Sequence, residues 1–173
     1  LLVGIHQSHY LPWLRYFEKV ACSELFIVLD DVEFTRNGWQ NRNKIKTASG
    51  PHTLTVPVTH KLGAPIHEVV AGKPGWARKH WMTLQQNYRN APFFEQYASR
   101  VESFYNEDWN RLVDLNQMMF DWKLEALGLR TPTVLSSSLP TQATATLRLV
   151  ELIKAVGGTG YLTGSYAFDA YLD

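Results

Sequence analysis

Leu2-Val3-Gly4-Ile5-His6 and Leu25-Phe26-Ile27-Val28-Leu29-Asp30-Asp31 are the stretches whose reading decides the fold class. Each is a short run of branched and aromatic apolar residues, the length of a strand buried on both faces. Between them Pro12 closes a loop and residues 13–21 carry helical patterning, so the segment reads as a βαβ unit. Further along, residues 39–46 alternate loosely, Ser49-Gly50-Pro51 marks a turn, and Leu54-Thr55-Val56-Pro57-Val58 completes a hairpin. Pro57 has no N–H for a ladder, so that strand ends there or lies at an edge.

Gly63, Pro65, Gly72, Pro74 and Gly75 punctuate the loops that follow, around a short strand expected over 66–70. Helices are expected over 76–88, over 92–105 with Pro92 in the first turn, and over 108–127 with Gly128 as a left-handed cap. Thr133-Val134-Leu135 and Gly160-Tyr161-Leu162 read as strands on either side of a helix over 144–156 that Gly157-Gly158 ends. The expected fold is therefore a single α/β domain over 1–173, three-layer or Rossmann-like. It has a mainly parallel sheet, a β-hairpin insertion and a helical second half.

Composition narrows the class. Of 173 residues 45% are hydrophobic and 19% charged, and no apolar run approaches the ~20 residues of a membrane helix, so a globular domain with no membrane partner is expected. Cys22 is the only cysteine, which excludes an internal disulfide framework and a cysteine zinc cluster and makes the cytoplasm the default compartment. Cys22 itself reads as a small buried residue at a helix end. No metal site is expected, and nothing identifies a cofactor. The first residue is not Met and Tyr171-Leu172-Asp173 reads as a loop, so the chain is expected to be truncated at its C-terminus.

The net charge of +1 conceals a segregation. Residues 34–94 hold nine bases against the single acid Glu68, whereas residues 1–33 are net −3 and residues 95–173 net −4. A concentrated positive field attracts phosphates and other anions whatever the total charge.

Six places could carry chemistry. The loop His6-Gln7-Ser8-His9-Tyr10 joins a strand end to a helix start, where ligands of open α/β sheets bind. There the Gln7 amide both donates and accepts, and His9 is a candidate proton donor. Asp30-Asp31, at the next strand end, can accept from a sugar or act as a base, with a turn or cap role as the alternative for one of them. In Arg36-Asn37-Gly38-Trp39-Gln40-Asn41-Arg42-Asn43-Lys44-Ile45-Lys46, four bases and four amides suit an anion, while Trp39 either stacks on a ligand or packs inward. His80 shares a helix face with Trp76 and either borders the cleft or is a satisfied interior group. Ser136-Ser137-Ser138 and Thr163-Gly164-Ser165 are small hydroxyl clusters that could meet phosphate, although neither matches a known nucleotide or nucleophile motif.

The sequence resembles the WbqC-like protein family. The likeness rests on Gln7 with Tyr10-Leu11-Pro12-Trp13, on Tyr16-Phe17 with Lys19, and on Phe26 through Asp31 with Val32 and Phe34. It extends through Trp39-Gln40-Asn41-Arg42-Asn43 with Ile45-Lys46, Leu54-Thr55-Val56-Pro57-Val58, His80, Tyr88 and Tyr161-Leu162 with Gly164. Ser8 stands where the family usually has Pro, and Arg15 where it usually has Gly. The resemblance implies a bacterial cytoplasmic enzyme of O-antigen and lipopolysaccharide biosynthesis that modifies nucleotide-linked or amino sugars, by acyl or aminoacyl transfer.

Residues and resemblance together predict a transferase with a phosphate-bearing small-molecule substrate. Asp30, His80 and His9 are the candidate catalytic groups. Gln7, Tyr10, Asp31, Trp39, Asn41, Arg42, Asn43, Lys44, Lys46 and Gly164 are the candidate substrate-binding groups, with Arg42, Lys44 and Lys46 on the anion. Two rivals remain. One is a HIGH-type nucleotidyl transferase using His6 or His9 of His-Gln-Ser-His, and the other a non-enzymatic RNA- or anion-binding module.

Overall fold

The computed structural model describes residues 1–72 and 75–164, in two compact units; Pro74, Ser165 and the Tyr171-Leu172-Asp173 terminus singled out above lie outside the described residues. Unit 1 comprises residues 1–8, 12–32 and the chain from 122 onward, and unit 2 comprises residues 9–11 and 33–121. In chain order the elements are β1 Leu2–Gln7, α1 Leu14–Ala21, β2 Leu25–Leu29, β3 Arg42–Thr47, β4 Gly50–Thr55, β5 Val58–Thr59 and β6 Val70–Ala71. Then come α2 Trp76–Tyr88, α3 Phe94–Asn106, α4 Leu112–Ala126, β7 Thr133–Leu135, α5 Ala145–Ala155 and β8 Gly160–Leu162.

Unit 1 is a parallel four-stranded sheet in the order β7-β2-β1-β8. Strand alternation sorts its two faces. Val3, Ile5 and Ile27 form one face and pack with Leu152 of α5, joined by Leu149 and Ile153. Gly4, His6 and Phe26 form the other, under α1, whose Tyr16 ring lies 4.6 Å from His6 and 5.5 Å from Phe26. The unit is thus three-layered. The chain moves outward from β1 through β2 to β7 and then returns to the far side of β1 as β8, so the strand order reverses between β1 and β8. That is the point where doubly wound sheets open a ligand crevice at their carboxyl ends.

Glycines make two of these features possible. A Cβ on Gly4 would stand 2.8 Å from the Phe26 ring and 2.2 Å from Ser23 Oγ, so the Phe26 ring and the Ser23 turn can sit this close only over a bare backbone. Gly128 adopts φ 67°, and the Gly128 and Leu129 N–H groups return to the Glu125 and Leu124 carbonyls, closing α4 as the sequence predicts.

Unit 2 holds the expected β3–β4 hairpin, in register from Arg42↔Thr55 to Thr47↔Gly50, and the short β5–β6 pair. Two expectations are corrected here. Residues 66–70 are not one strand: Ile66–Glu68 is a 3₁₀ turn, Ile66 and Val69 are buried three residues apart, and the paired strand is Val70–Ala71. Nor does the third long helix begin at 108. Asn110 accepts from the Ala71 N–H and Leu112 donates to Val69, so this stretch is spent pairing with β6 before α4 starts. Cys22 also departs from expectation, since its side chain is exposed at the end of α1.

Gly4→Ala should therefore cost about 1–3 kcal/mol in urea unfolding, as overpacking against a buried ring does. Gly164→Ala, whose Cβ would meet nothing within 4 Å among the described residues, should leave stability unchanged.

Candidate functional site

The carboxyl ends of β2 and β7 hold a carboxylate cluster. Asp30, 2% exposed, accepts from the Ser137 N–H at 2.9 Å, the Ser137 hydroxyl at 2.6 Å and the Ser136 hydroxyl at 3.1 Å. The Asp30 N–H in turn donates to Ser136 Oγ. Asp31 pairs with Arg148 of α5 and lies 2.5 Å from the same Ser136 hydroxyl. One hydroxyl carries one proton, so Ser136 donates to only one of the two carboxylates at a time. The serine cluster singled out for phosphate thus serves carboxylates instead.

At the carboxyl ends of β1 and β8 a different group stands out. The β1–β8 ladder stops at Gly4↔Leu162, so Gln7 and Gly164 both lie beyond it on the same edge of the sheet. One residue past that last pair, the Ile5 carbonyl accepts from Lys19 Nζ of α1 at 2.6 Å. The ammonium also lies 5.3 Å from the centre of the Tyr161 ring. Lys19 has no carboxylate partner among the described residues. Burial lowers its pKa to about 8. Lys123, lowered to about 8 by the same cause, donates to the Pro12 carbonyl at 2.9 Å and pins the loop that leads into α1.

His6 faces α1, beside Tyr16 and Trp13. Burial, then the Lys19 charge, lower its pKa to about 4. Its Nδ1 faces the Gln7 carbonyl at 3.4 Å and so carries the proton of the neutral ring.

In unit 2, Tyr10 is fully buried and its hydroxyl meets His80 Nδ1 at 2.8 Å and the Tyr105 hydroxyl at 2.7 Å. The other His80 nitrogen serves the Thr55 carbonyl, which only accepts, so Nδ1 accepts from Tyr10 and Tyr10 accepts from Tyr105. Burial lowers His80 to about 4 and raises both tyrosines. All three are neutral at physiological pH, and the chain they form ties α2 and α3 to the His9–Leu11 segment.

Asn43 supports the same segment. Its amide donates to the Tyr10 and Leu11 carbonyls at 3.2 and 2.7 Å, holding Leu11 at φ 46°, a left-handed conformation that non-glycine residues rarely adopt. Asn41 is likewise interior, donating to the Val56 carbonyl, and His9 is buried. Strand alternation puts Asn43, Ile45 and Leu54 on the inner face of the hairpin, and Arg42, Lys44 and Lys46 on the outer, away from Tyr10. Arg42 bonds to Asn37, Lys44 and Lys46 are exposed, and Trp39 is 41% exposed.

The structure therefore brings Asp30 together with Asp31, and Tyr10 with Asn43 and His80, while Gln7 and Gly164 share only the carboxyl edge of the sheet. Lys19, Tyr105, Ser136, Ser137 and Arg148 complete these groups and were not among the predicted site residues. Of them, only Lys19 and the serines had a signal in the sequence, in the Tyr16-Phe17-Lys19 motif and the hydroxyl run.

A model of the WbqC-like protein family matches residues 7–173. The chain is 34% identical over 174 residues to "Uncharacterized protein Rv1507c" of Mycobacterium tuberculosis, a match covering 99% of this chain and 75% of that relative. No solved structure matches it.

The histidines make stability depend on pH. Their folded pKa of about 4 lies below the ordinary 6.5, so between those values the unfolded chain binds more protons. Urea stability should hold above pH 6.5 and fall as pH drops toward 4. His80→Gln should flatten that fall, and an unchanged slope would show that His80 does not contribute.

Proposed function

The chain belongs to the WbqC-like protein family, and from that premise we propose that it is a transferase of lipopolysaccharide O-antigen biosynthesis. It binds a nucleotide-activated or amino sugar at the carboxyl ends of β1 and β8 and transfers an acyl or aminoacyl group. One observation supports this most: a partly buried ammonium, Lys19, sits at the strand-order reversal without a carboxylate partner among the described residues. Burying a cation is costly unless an anion joins it, and the diphosphate of a sugar nucleotide is such an anion. Gln7 and Gly164 lie at the same carboxyl edge of the sheet, where the Gln7 amide can serve a sugar hydroxyl.

On this reading Lys19 replaces Arg42, Lys44 and Lys46 as the phosphate contact. Asp30 and His80 position backbone, since their polar atoms serve the protein's own hydrogen bonds. The reading is tested by calorimetry with uridine- and thymidine-diphosphate sugars. Lys19→Gln should weaken binding at least tenfold and Lys19→Arg should restore most of it. Arg42→Ala, Lys44→Ala and Lys46→Ala should each change affinity less than threefold. Equal affinities for wild type and Lys19→Gln would sink the assignment.

The outward row Arg42, Lys44 and Lys46 favours one second reading, an RNA-binding surface. It requires affinity for single-stranded RNA that falls steeply between 50 and roughly 200 mM salt and drops when Lys44 and Lys46 are both changed to Glu. Salt-insensitive or absent RNA binding removes it.

A further inference from the structure

α2 and α3 form a helical hairpin whose apolar stripe is only partly covered. Trp81, Leu84 and Tyr88 of α2 face Phe94, Tyr97 and Val101 of α3 across an open groove of about 320 Å³, almost without polar atoms in its lining. The spacings i, i+3, i+7 on each helix are those of a buried face. Here Tyr88, Phe94, Tyr97 and Val101 remain half-buried and Phe93, at the turn between the helices, is 69% exposed. The volume lies at the small end of ligand sites, room for a chain or a ring rather than for a protein surface.

Charge selects among such ligands. The Tyr88 hydroxyl accepts from the Lys46 N–H at 3.0 Å, so the cationic strand β3 meets the groove at this residue. Lys44 and Lys46 project from that strand into solvent, and exposed Arg89 follows Tyr88 at the end of α2. Against these three cations, the carboxylate of the first turn of α3 is Glu95. An apolar slot with a cationic mouth matches an apolar tail with an anionic head.

We propose that the α2–α3 groove binds the alkyl chain of a single-chain anionic amphiphile, with its phosphate or carboxylate head on Lys46 and Arg89. This site is separate from the strand-end site and does not depend on the function proposed for it.

Calorimetry with dodecyl phosphate below its micelle concentration tests the proposal, with dodecanol and inorganic phosphate as partial ligands. Dodecyl phosphate should bind at least tenfold more tightly than dodecanol, and inorganic phosphate alone should give no heat. Ala98→Phe, which fills the groove from α3, should abolish binding while leaving the circular dichroism spectrum and Tm unchanged. Lys46→Glu with Arg89→Glu should bring dodecyl phosphate down to the affinity of dodecanol. Equal affinity for the two ligands in the wild type, or full binding by Ala98→Phe, would overturn the proposal. So would a groove closed by a second copy, seen as a sedimenting dimer that Ala98→Phe dissociates and that takes up no amphiphile. Binding only to phosphatidylglycerol vesicles, with none to monomeric dodecyl phosphate, would likewise overturn it in favour of a membrane-docking surface.

Discussion

Unit 1 depends on the closure of β2 against β7, two strands of the same sheet whose paired residues lie more than a hundred positions apart in the chain. Bringing together the ends of a loop of that length costs roughly 4 kcal/mol in chain entropy, beyond the constant for closing any loop. The apolar contacts of Ile27 with Val134 do not alone fix which residues meet. Specificity comes from Asp30, whose two carboxylate oxygens accept from the N–H and the hydroxyl of Ser137 just after β7, and from Asp31, which reaches Arg148 on α5. A buried carboxylate with both oxygens satisfied tolerates no slip in register, because a slip would strand a charge.

Much of the parallel sheet was legible because fully buried strands leave continuous apolar runs, as Leu25 to Leu29 do. The helix Trp76–Tyr88 was legible to the residue, opening after Gly75 at φ 125°. What the pattern could not show was a helical period overruled by pairing, as at Asn110, or a spacing of three used for a 3₁₀ turn, as at Ile66 and Val69. The candidate site was read less well for a related reason. Polar side chains in a sequence look alike whether they face a ligand or the protein's own backbone. Asn41 and Asn43 are dense in hydrogen-bonding capacity because they hold carbonyls of Val56, Tyr10 and Leu11.

Charge counting by segment shows the same limit. The basic stretch 34–94 does present cations, but on the outer face of the hairpin and at the groove mouth. The ammonium at the strand-order reversal, Lys19, comes from a segment that is net acidic. A sum over sequence weights every lysine equally, whereas the field at a site is set by the one that is desolvated there.

Unit 2 is not one continuous insertion. Residues 9–11 belong to it while residues on both sides of them belong to unit 1, and Tyr10 within that triplet is bonded to both His80 and Tyr105. A genetic exchange that transplanted residues 33–121 as a cassette would leave Tyr10 behind in the donor's first loop. His80 and Tyr105 would then arrive without the hydroxyl that joins them. Inheritance of the two units is for that reason coupled through three residues, and a recombinant lineage would have to acquire the β1–α1 loop and the helical unit from the same parent.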